Sequence, residues 1–517
     1  MQTIVKIMGP DYLDNMGTVV TGLGDLNHDG FDDVGVTVPG KGKTYVYYGG
    51  NPMDTIPDLK LKGHWCISSA GDVNGDGYSD VITSDLHYCY IFLGSQTGLD
   101  TVPAVILPSE YPGDDFGSWL VNTGDVNKDG YDDILILAPN YPNGNSFGKA
   151  YVYFGGNPMD TIPDWQVTGG SGAAGSGQRR LQTVCSLDFN GDGWVDIIVG
   201  REGYYYAGND SLPAKVDVFF GKQSGFDTIP NLVINPPPGL NYLQMAEFGG
   251  WWVSNLGDVN QDGYQDLGIL LEFICGHPYI YFGGNPPDTL PALELGDGSS
   301  RSDNFIYAGD VNKDGFPDVV NGNICWGMDW GSIEVYLGSA NFNGTKDKWV
   351  TADDLPPDFI EDFGRSVACA RDVNGDGVDD IIASSDNFFV ETNHRGEVFI
   401  FAGDSSIIAG VNDRDSEEPG HPDKFLLSQN YPNPFNSVTN IQFTISGGQS
   451  PNPVSIKIYN LSGQLVRVQV NEVMKPGTYT VTWDGKNNSG KEVASGIYFY
   501  QFRTRNFQQT KRMLMIK

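Results

Sequence analysis

Asp125-Val126-Asn127-Lys128-Asp129-Gly130-Tyr131-Asp132-Asp133 is one of seven copies of the pattern D-x-N-x-D-G-x-x-D. The others begin at Asp25, Asp72, Asp188, Asp258, Asp310 and Asp372, with gaps of 47 to 70 residues. Each copy sets carboxylate or amide oxygens at positions 1, 3, 5 and 9, and a Gly at position 6 where the backbone must reverse sharply. Asp, Asn and Gly as simple hairpin punctuation explain any single copy. They do not explain an Asp returning at position 9 seven times.

Oxygen donors without a nearby His or Cys favour a hard cation, Ca²⁺, over zinc or copper. About seven Ca²⁺ sites are expected, each taking its ligands from one loop. The expected sets are Asp25, Asn27, Asp29 and Asp33; Asp72, Asn74, Asp76 and Asp80; Asp125, Asn127, Asp129 and Asp133; Asp188, Asn190, Asp192 and Asp196; Asp258, Asn260, Asp262 and Asp266; Asp310, Asn312, Asp314 and Asp318; and Asp372, Asn374, Asp376 and Asp380. Position 7 adds a backbone carbonyl, from Phe31, Tyr78, Tyr131, Trp194, Tyr264, Phe316 and Val378. An EF-hand needs a Glu at position 12 and flanking helices. Position 12 here is Val36, Thr83, Ile136, Val199, Ile269, Asn321 or Ala383. The flanks, such as Ile197-Ile198-Val199, are β-branched runs of strand character.

Each unit has one grammar. A strand enters the acidic loop and a second strand leaves it. A third ends in aromatic-Gly or a close variant, as in GKAYVYFGG at 148–156. Asp-Thr-(Ile/Val/Leu)-Pro follows in five units, at Asp54, Asp100, Asp160, Asp227 and Asp288, ahead of a short fourth strand. Four antiparallel strands repeated seven times predict an all-β, seven-bladed β-propeller over residues 1–404, the radial answer to exposed sheet edges. Residues 3–8 stand where the last blade lacks a fourth strand, so they are expected to pair with 396–403 and close the ring.

The unit from Phe116 to Gly156 resembles the FG-GAP repeat of integrin α-chain propellers and their bacterial relatives. Its Phe-Gly opening recurs at Phe248-Gly249 and Phe363-Gly364 and becomes Met16-Gly17 in the first unit. The second, fourth and sixth units lack it.

Strand alternation puts the acidic loops and the Asp-Thr-Ile-Pro loops on one face. The opposite face holds the long irregular segments, the usual place for binding on a rigid scaffold. Tyr204, Tyr205, Tyr206, Trp251, Trp252, Trp326 and Trp330 there are candidate contacts for a glycan or protein ligand; the alternative is that they pack the rim or plug the channel.

Residues 405–424 form a polar linker, and 425–517 read as a small immunoglobulin-like sandwich. This second module holds ten basic and three acidic residues, a net charge of +7, which leaves −41 for residues 1–424. Tyr431-Pro432-Asn433-Pro434-Phe435-Asn436, Trp483-Asp484-Gly485, Gly496-Ile497-Tyr498 and Lys511-Arg512-Met513-Leu514 resemble the C-terminal sorting domain of type IX secretion cargo. That resemblance implies a translocon as partner of residues 425–517, and a destination outside the cell or on the outer surface of a Gram-negative bacterium. Residues 1–8 lack the h-region of a signal peptide, so the expectation is that a leader has been lost upstream.

The net charge of −34 argues against nucleic-acid and anionic-membrane binding. No apolar stretch reaches membrane-spanning length. Cys66, Cys89, Cys185, Cys275, Cys325 and Cys369 read as small buried hydrophobes rather than disulfide partners. The six histidines show no metal or triad spacing, and no hydrolase motif is present. The expected function is therefore a secreted or cell-surface, calcium-stabilised binding or adhesion module, not an enzyme. The alternative is a polysaccharide-degrading lyase or hydrolase using spare acids such as Glu202, Glu247, Asp303 and Glu391.

Overall fold

A computed structural model of the chain describes residues 1–11, 14–142, 147–169, 180–203, 213–237, 248–271, 277–295, 302–323, 331–351, 355, 362–385, 396–407, 426–427, 430, 433, 435–445, 452–460, 464–475, 477–504 and 508–516. The chain divides into two compact units, Met1–Asn412 and Asp413–Lys517.

The first unit is a seven-bladed β-propeller, each blade an antiparallel four-stranded sheet. Blade 3 shows the pattern: inner strand Trp119–Gly124, then Asp133–Ala138, Lys149–Tyr153 and outer strand Trp165–Thr168. Each inner strand packs against the inner strand of the next blade, and that of blade 7 (Phe363–Arg371) against that of blade 1 (Val20–Gly24). The outer strand of blade 7 comes from the other end of the unit. Thr3–Met8 pairs antiparallel with Glu397–Phe401, in the register Lys6↔Phe399 and Ile7↔Val398.

Seven hydrophobic clusters fill the seven interfaces between blades. Ile82 and Ile91 of blade 2 pack with Leu120, Ile134 and Ile136 of blade 3. Leu135, Leu137 and Val152 of blade 3 pack with Val184, Ile197 and Val199 of blade 4. Second strands are thus buried on both faces, and Asp133–Ala138 is buried along its whole length. This accounts for their unbroken apolar runs, which carry no alternation of the half-exposed kind. Cys66, Cys89 and Cys185 are buried free thiols in these cores, and Cys369 is a half-buried one. Cys275 and Cys325 lie outside the described residues.

The second unit is an immunoglobulin-like sandwich. One sheet orders Leu426–Leu427, Thr439–Ile445 and Gly477–Trp483. The other orders Leu465–Met474, Asn452–Asn460, Gly496–Arg503 and Gln508–Met515. Its core gathers the side chains behind the recurring phrases of this segment. Trp483 is fully buried against Phe435 and Tyr498, with ring centroids 5.5 and 5.2 Å away, and Met513 and Met515 join the same cluster. Trp483 Nε1 donates to the Lys486 carbonyl at 2.9 Å, which fixes the Trp-Asp-Gly turn.

Ile7 is 1% exposed in the core between blades 7 and 1. Ile7→Ala is expected to cost about 2–5 kcal/mol in urea unfolding. Removing residues 1–8 bares Glu397–Phe401 as an open edge and should cause association; an unchanged melt and a monodisperse protein would contradict this role.

Candidate functional site

The seven acidic loops share one hydrogen-bond scheme. In blade 3 the Asp129 N–H donates to Asp125 Oδ1 at 3.0 Å and to Asn127 Oδ1 at 2.9 Å. The Gly130 N–H donates to Asp125 Oδ2 at 2.8 Å, and the Tyr131 N–H to Asp129 Oδ1 at 3.1 Å. The same four bonds recur in each loop; position 5, for example, always donates to position 1. These turns hold the oxygens of positions 1, 3 and 5 in place before any ligand arrives, and each oxygen keeps a lone pair free.

Position 9 has a distinct task. Asp133 is wholly buried; its Oδ2 accepts from the Val126 N–H at 2.9 Å and its Oδ1 from the Gly155 N–H at 2.8 Å. Asp33, Asp80, Asp196, Asp266, Asp318 and Asp380 make the equivalent pair of bonds. This explains the aromatic-Gly ending of the third strands: that glycine delivers its N–H to the buried carboxylate. A Cβ on Gly155 would lie 2.4 Å from the Asp132 carbonyl oxygen, so no other residue fits.

Neighbouring loops interlock. The position 4 residue of one blade meets the loop of the next around the whole ring. His28 packs on Tyr78 with centroids 4.9 Å apart, and Lys128 Nζ lies 3.9 Å above the Trp194 ring. Gly75, Gly191 and Gly375 lie against Tyr131, Tyr264 and Phe31. Gln261 Nε2 donates to the Gly315 carbonyl, and Lys313 reaches Gly377. At four interfaces the position 8 side chain also accepts from the position 1 N–H of the preceding blade: Asp132 from Asp72 (2.9 Å), Gln265 from Asp188 (2.7 Å), Asp379 from Asp310 (2.8 Å) and Asp32 from Asp372 (3.1 Å). Ser79, Val195 and Pro317 hold that position at the other three.

Electrostatically the loops are crowded with one sign. Burial pushes Asp33, Asp80, Asp133, Asp196 and Asp380 up to about 7, and Asp266 and Asp318 up to about 8; loop carboxylates at positions 1 and 5 add to the rise and the two N–H bonds oppose it. Among the described residues no Lys or Arg forms an ion pair with positions 1, 5 or 9. Nor do three His, Cys, Asp or Glu side chains converge closely enough to enclose an ion. In blades 1, 2, 3 and 6 the position 3 amide donates to position 5 instead, at 2.9–3.0 Å. The donor set, oxygens only and acidic, suits a hard cation.

Of the aromatic candidates, Trp252 lies on the inner strand of blade 5. Its ring meets Trp119 of blade 3 edge-on at 4.5 Å, and its Nε1 donates to the Phe305 carbonyl of blade 6 at 3.1 Å. It thus bridges three blades at the channel. Trp251 is the adjacent residue of that strand; Tyr204, Tyr205, Tyr206, Trp326 and Trp330 lie outside the described residues. Among the spare acids, Glu202 is half-buried, with its carboxyl raised by burial and opposed by Arg180. Asp303 lies on the inner strand of blade 6, and Glu247 and Glu391 fall outside the described residues.

Sequence reasoning missed a belt of polar links on the inner strands. Thr183 Oγ1 accepts from the Val253 N–H at 3.3 Å, Ser366 Oγ from the Val20 N–H at 3.1 Å, and Asn304 Nδ2 donates to the Arg365 carbonyl. Each joins consecutive blades at the register position that Trp252 occupies in blade 5. Only the common register gives them away, since their residue types differ.

Comparison with known proteins agrees with this architecture. FG-GAP repeat models match residues 116–153, 181–211 and 363–401, and the FlgD Ig-like domain matches 430–506. The chain is 32% identical to integrin alpha-6 of Gallus gallus over 179 residues, 33% of this chain and 15% of that protein. It is 30% identical to phosphatidylinositol-glycan-specific phospholipase D of Bos taurus over 217 residues, 40% of this chain and 24% of that one. Integrin alpha-5 of Xenopus laevis is 26% identical over 231 residues, 42% of this chain and 20% of that protein. The chain therefore spans less than a quarter of the length of these relatives. Among the described residues no helix is long and apolar enough to cross a membrane.

Asp132→Ala would leave the Asp72 N–H without its acceptor. It is expected to cost about 1–3 kcal/mol in urea unfolding, whereas Ser79→Ala, at an interface without this bond, should cost about 0.5 kcal/mol or less. Equal costs would contradict the assignment. Seven blades, loops joined by one repeated hydrogen-bond scheme and the matched repeats together make the first unit an FG-GAP propeller, followed by an immunoglobulin-like domain.

Proposed function

We propose that the chain is an extracellular binding or adhesion module whose propeller is stabilised by Ca²⁺ in its seven acidic loops, and whose ligand, a glycan or a protein, engages the face opposite those loops. The observation that supports this most is the loop scheme itself. The repeated acids are spent on bonds within and between blades, so their part is to hold the ring. Positions 1, 3, 5 and 9 and the position 7 carbonyl would supply the ligands. Like charges crowded without a basic partner are the situation a bound cation relieves. The likeness to integrin alpha-6 and alpha-5 supports a protein ligand and an adhesive role.

We assign export to residues 425–517, on the phrases that resemble a type IX sorting domain. Phe435, Trp483, Tyr498 and Met513 serve its core, so any translocon contact falls on the outward side chains between them. The Gram-negative outer surface follows from this assignment.

Ions of extracellular affinity at about ten times Kd would each add roughly 1.4 kcal/mol to the folded state. EDTA is therefore expected to lower the melting temperature markedly, with recovery on adding Ca²⁺ but not on adding Na⁺. A melt blind to EDTA would reduce the loops to turns. Deleting residues 425–517 should retain the protein in the periplasm; unchanged surface delivery would remove the export assignment.

A further inference from the structure

The Asp-Thr-(Ile/Val/Leu)-Pro segments join third strands to outer strands on the acidic-loop face, and their tips have an unusual property. Ile56, Val102, Ile162, Ile229 and Leu290, the equivalent residues of blades 1 to 5, are 60–76% exposed. They include the most exposed large hydrophobic side chains among the described residues of the propeller. Single exposed apolar residues need no explanation, but an arc of them across five consecutive blades does.

The turn does not require them. In blade 1 the Ile56 N–H donates to Asp54 Oδ1 at 2.7 Å, and in blade 3 Ile162 donates likewise to Asp160 at 2.7 Å. Blade 6 builds the same turn from Asn343-Gly344-Thr345-Lys346-Asp347, with the Thr345 N–H on Asn343 Oδ1 at 2.7 Å. Its tip is the polar Thr345. The local bond is satisfied equally well by a hydroxyl-bearing residue, so the turn itself does not account for the apolar tips. They are also firmly mounted. The Gly50 N–H donates to the Val373 carbonyl at 2.8 Å and the Gly156 N–H to the Val73 carbonyl at 2.7 Å, tying each tip segment to the acidic loop of the preceding blade.

Charge selects the occupant. Asp54, Asp100 and Asp160 stand exposed two residues before their tips, and Asp58 and Asp164 stand two residues after theirs; Asp227, the equivalent acid of blade 4, is paired with Lys222 at 2.5 Å. These acids lie outside the nonapeptides, so ions in the loops leave them charged. Anionic lipid and the same face of a second copy are both repelled.

We infer that the acidic-loop face is a second docking surface, for a protein whose own surface is basic and presents apolar residues or sockets to the five tips. This goes beyond the ligand face proposed above and does not depend on it.

The test is selection of a random peptide library on the calcium-loaded full chain, followed by affinity measurement against a variant carrying I56S, V102S, I162S, I229S and L290S. Because the tips are exposed, the variant should melt as the parent does. Enriched peptides should mix Lys or Arg with aliphatic or aromatic residues, and should lose about tenfold or more in affinity on the variant. Thr345→Ile, which extends the arc into blade 6, should strengthen their binding. The proposal is overturned if the peptides bind parent and variant equally or lack basic residues. It is also overturned if the substitutions instead abolish binding to phosphatidylcholine vesicles or self-association of the chain, which would reassign the tips to lipid or to a second copy.

Discussion

A buried carboxylate with two backbone N–H groups on it is the interaction on which the rest of this propeller depends. Asp133 and its six equivalents clamp the start of the acidic loop to the glycine that ends the third strand, so the loop, the second strand and the tip segment of each blade move as one piece. Burying that charge beside two further carboxylates is costly without a counter-ion. The two N–H bonds offset part of the cost, and a cation shared with positions 1, 3 and 5 would offset the rest.

The clamp also sets how blades meet. With each loop held rigid, positions 4, 7 and 8 can be used for fitting it against its neighbours. Where position 4 is glycine, as at Gly75, Gly191 and Gly375, the next blade supplies an aromatic ring and an acceptor at position 8: Tyr131 with Asp132, Tyr264 with Gln265, Phe31 with Asp32. Where position 4 is His28, Lys128 or Gln261, that residue makes the contact itself and position 8 carries Ser79, Val195 or Pro317. The blade 6 to blade 7 interface uses both, Lys313 and Asp379. Loop order in one blade is therefore felt by the next, so an ion bound in one loop would also bear on ring closure.

The blade count and the strand order were legible because repetition and strand punctuation are local properties of the chain. The pairing of positions 4 and 8 was present in the sequence only as variation between repeats, and it joins residues more than 50 positions apart, so it acquires meaning only once the blades are placed in a ring. Trp252 reads in sequence either as a ligand contact or as a residue that packs the rim or plugs the channel; what the sequence does not supply is its partner, Trp119, a residue of another blade that no local pattern connects to it. The apolar tips read as strand punctuation, because Pro and Asp around them are turn residues, and only their exposure sets them apart. The recurring phrases of the C-terminal module resemble a sorting signal, yet Phe435, Trp483 and Tyr498 are first of all its core.

On the proposed function each of the seven loops encloses a cation. Crystals of the full chain grown in calcium and measured with X-rays long enough to give a calcium anomalous signal test it directly. Seven anomalous peaks are predicted, one between positions 1, 3, 5 and 9 of each loop. Loops without a peak would contradict it.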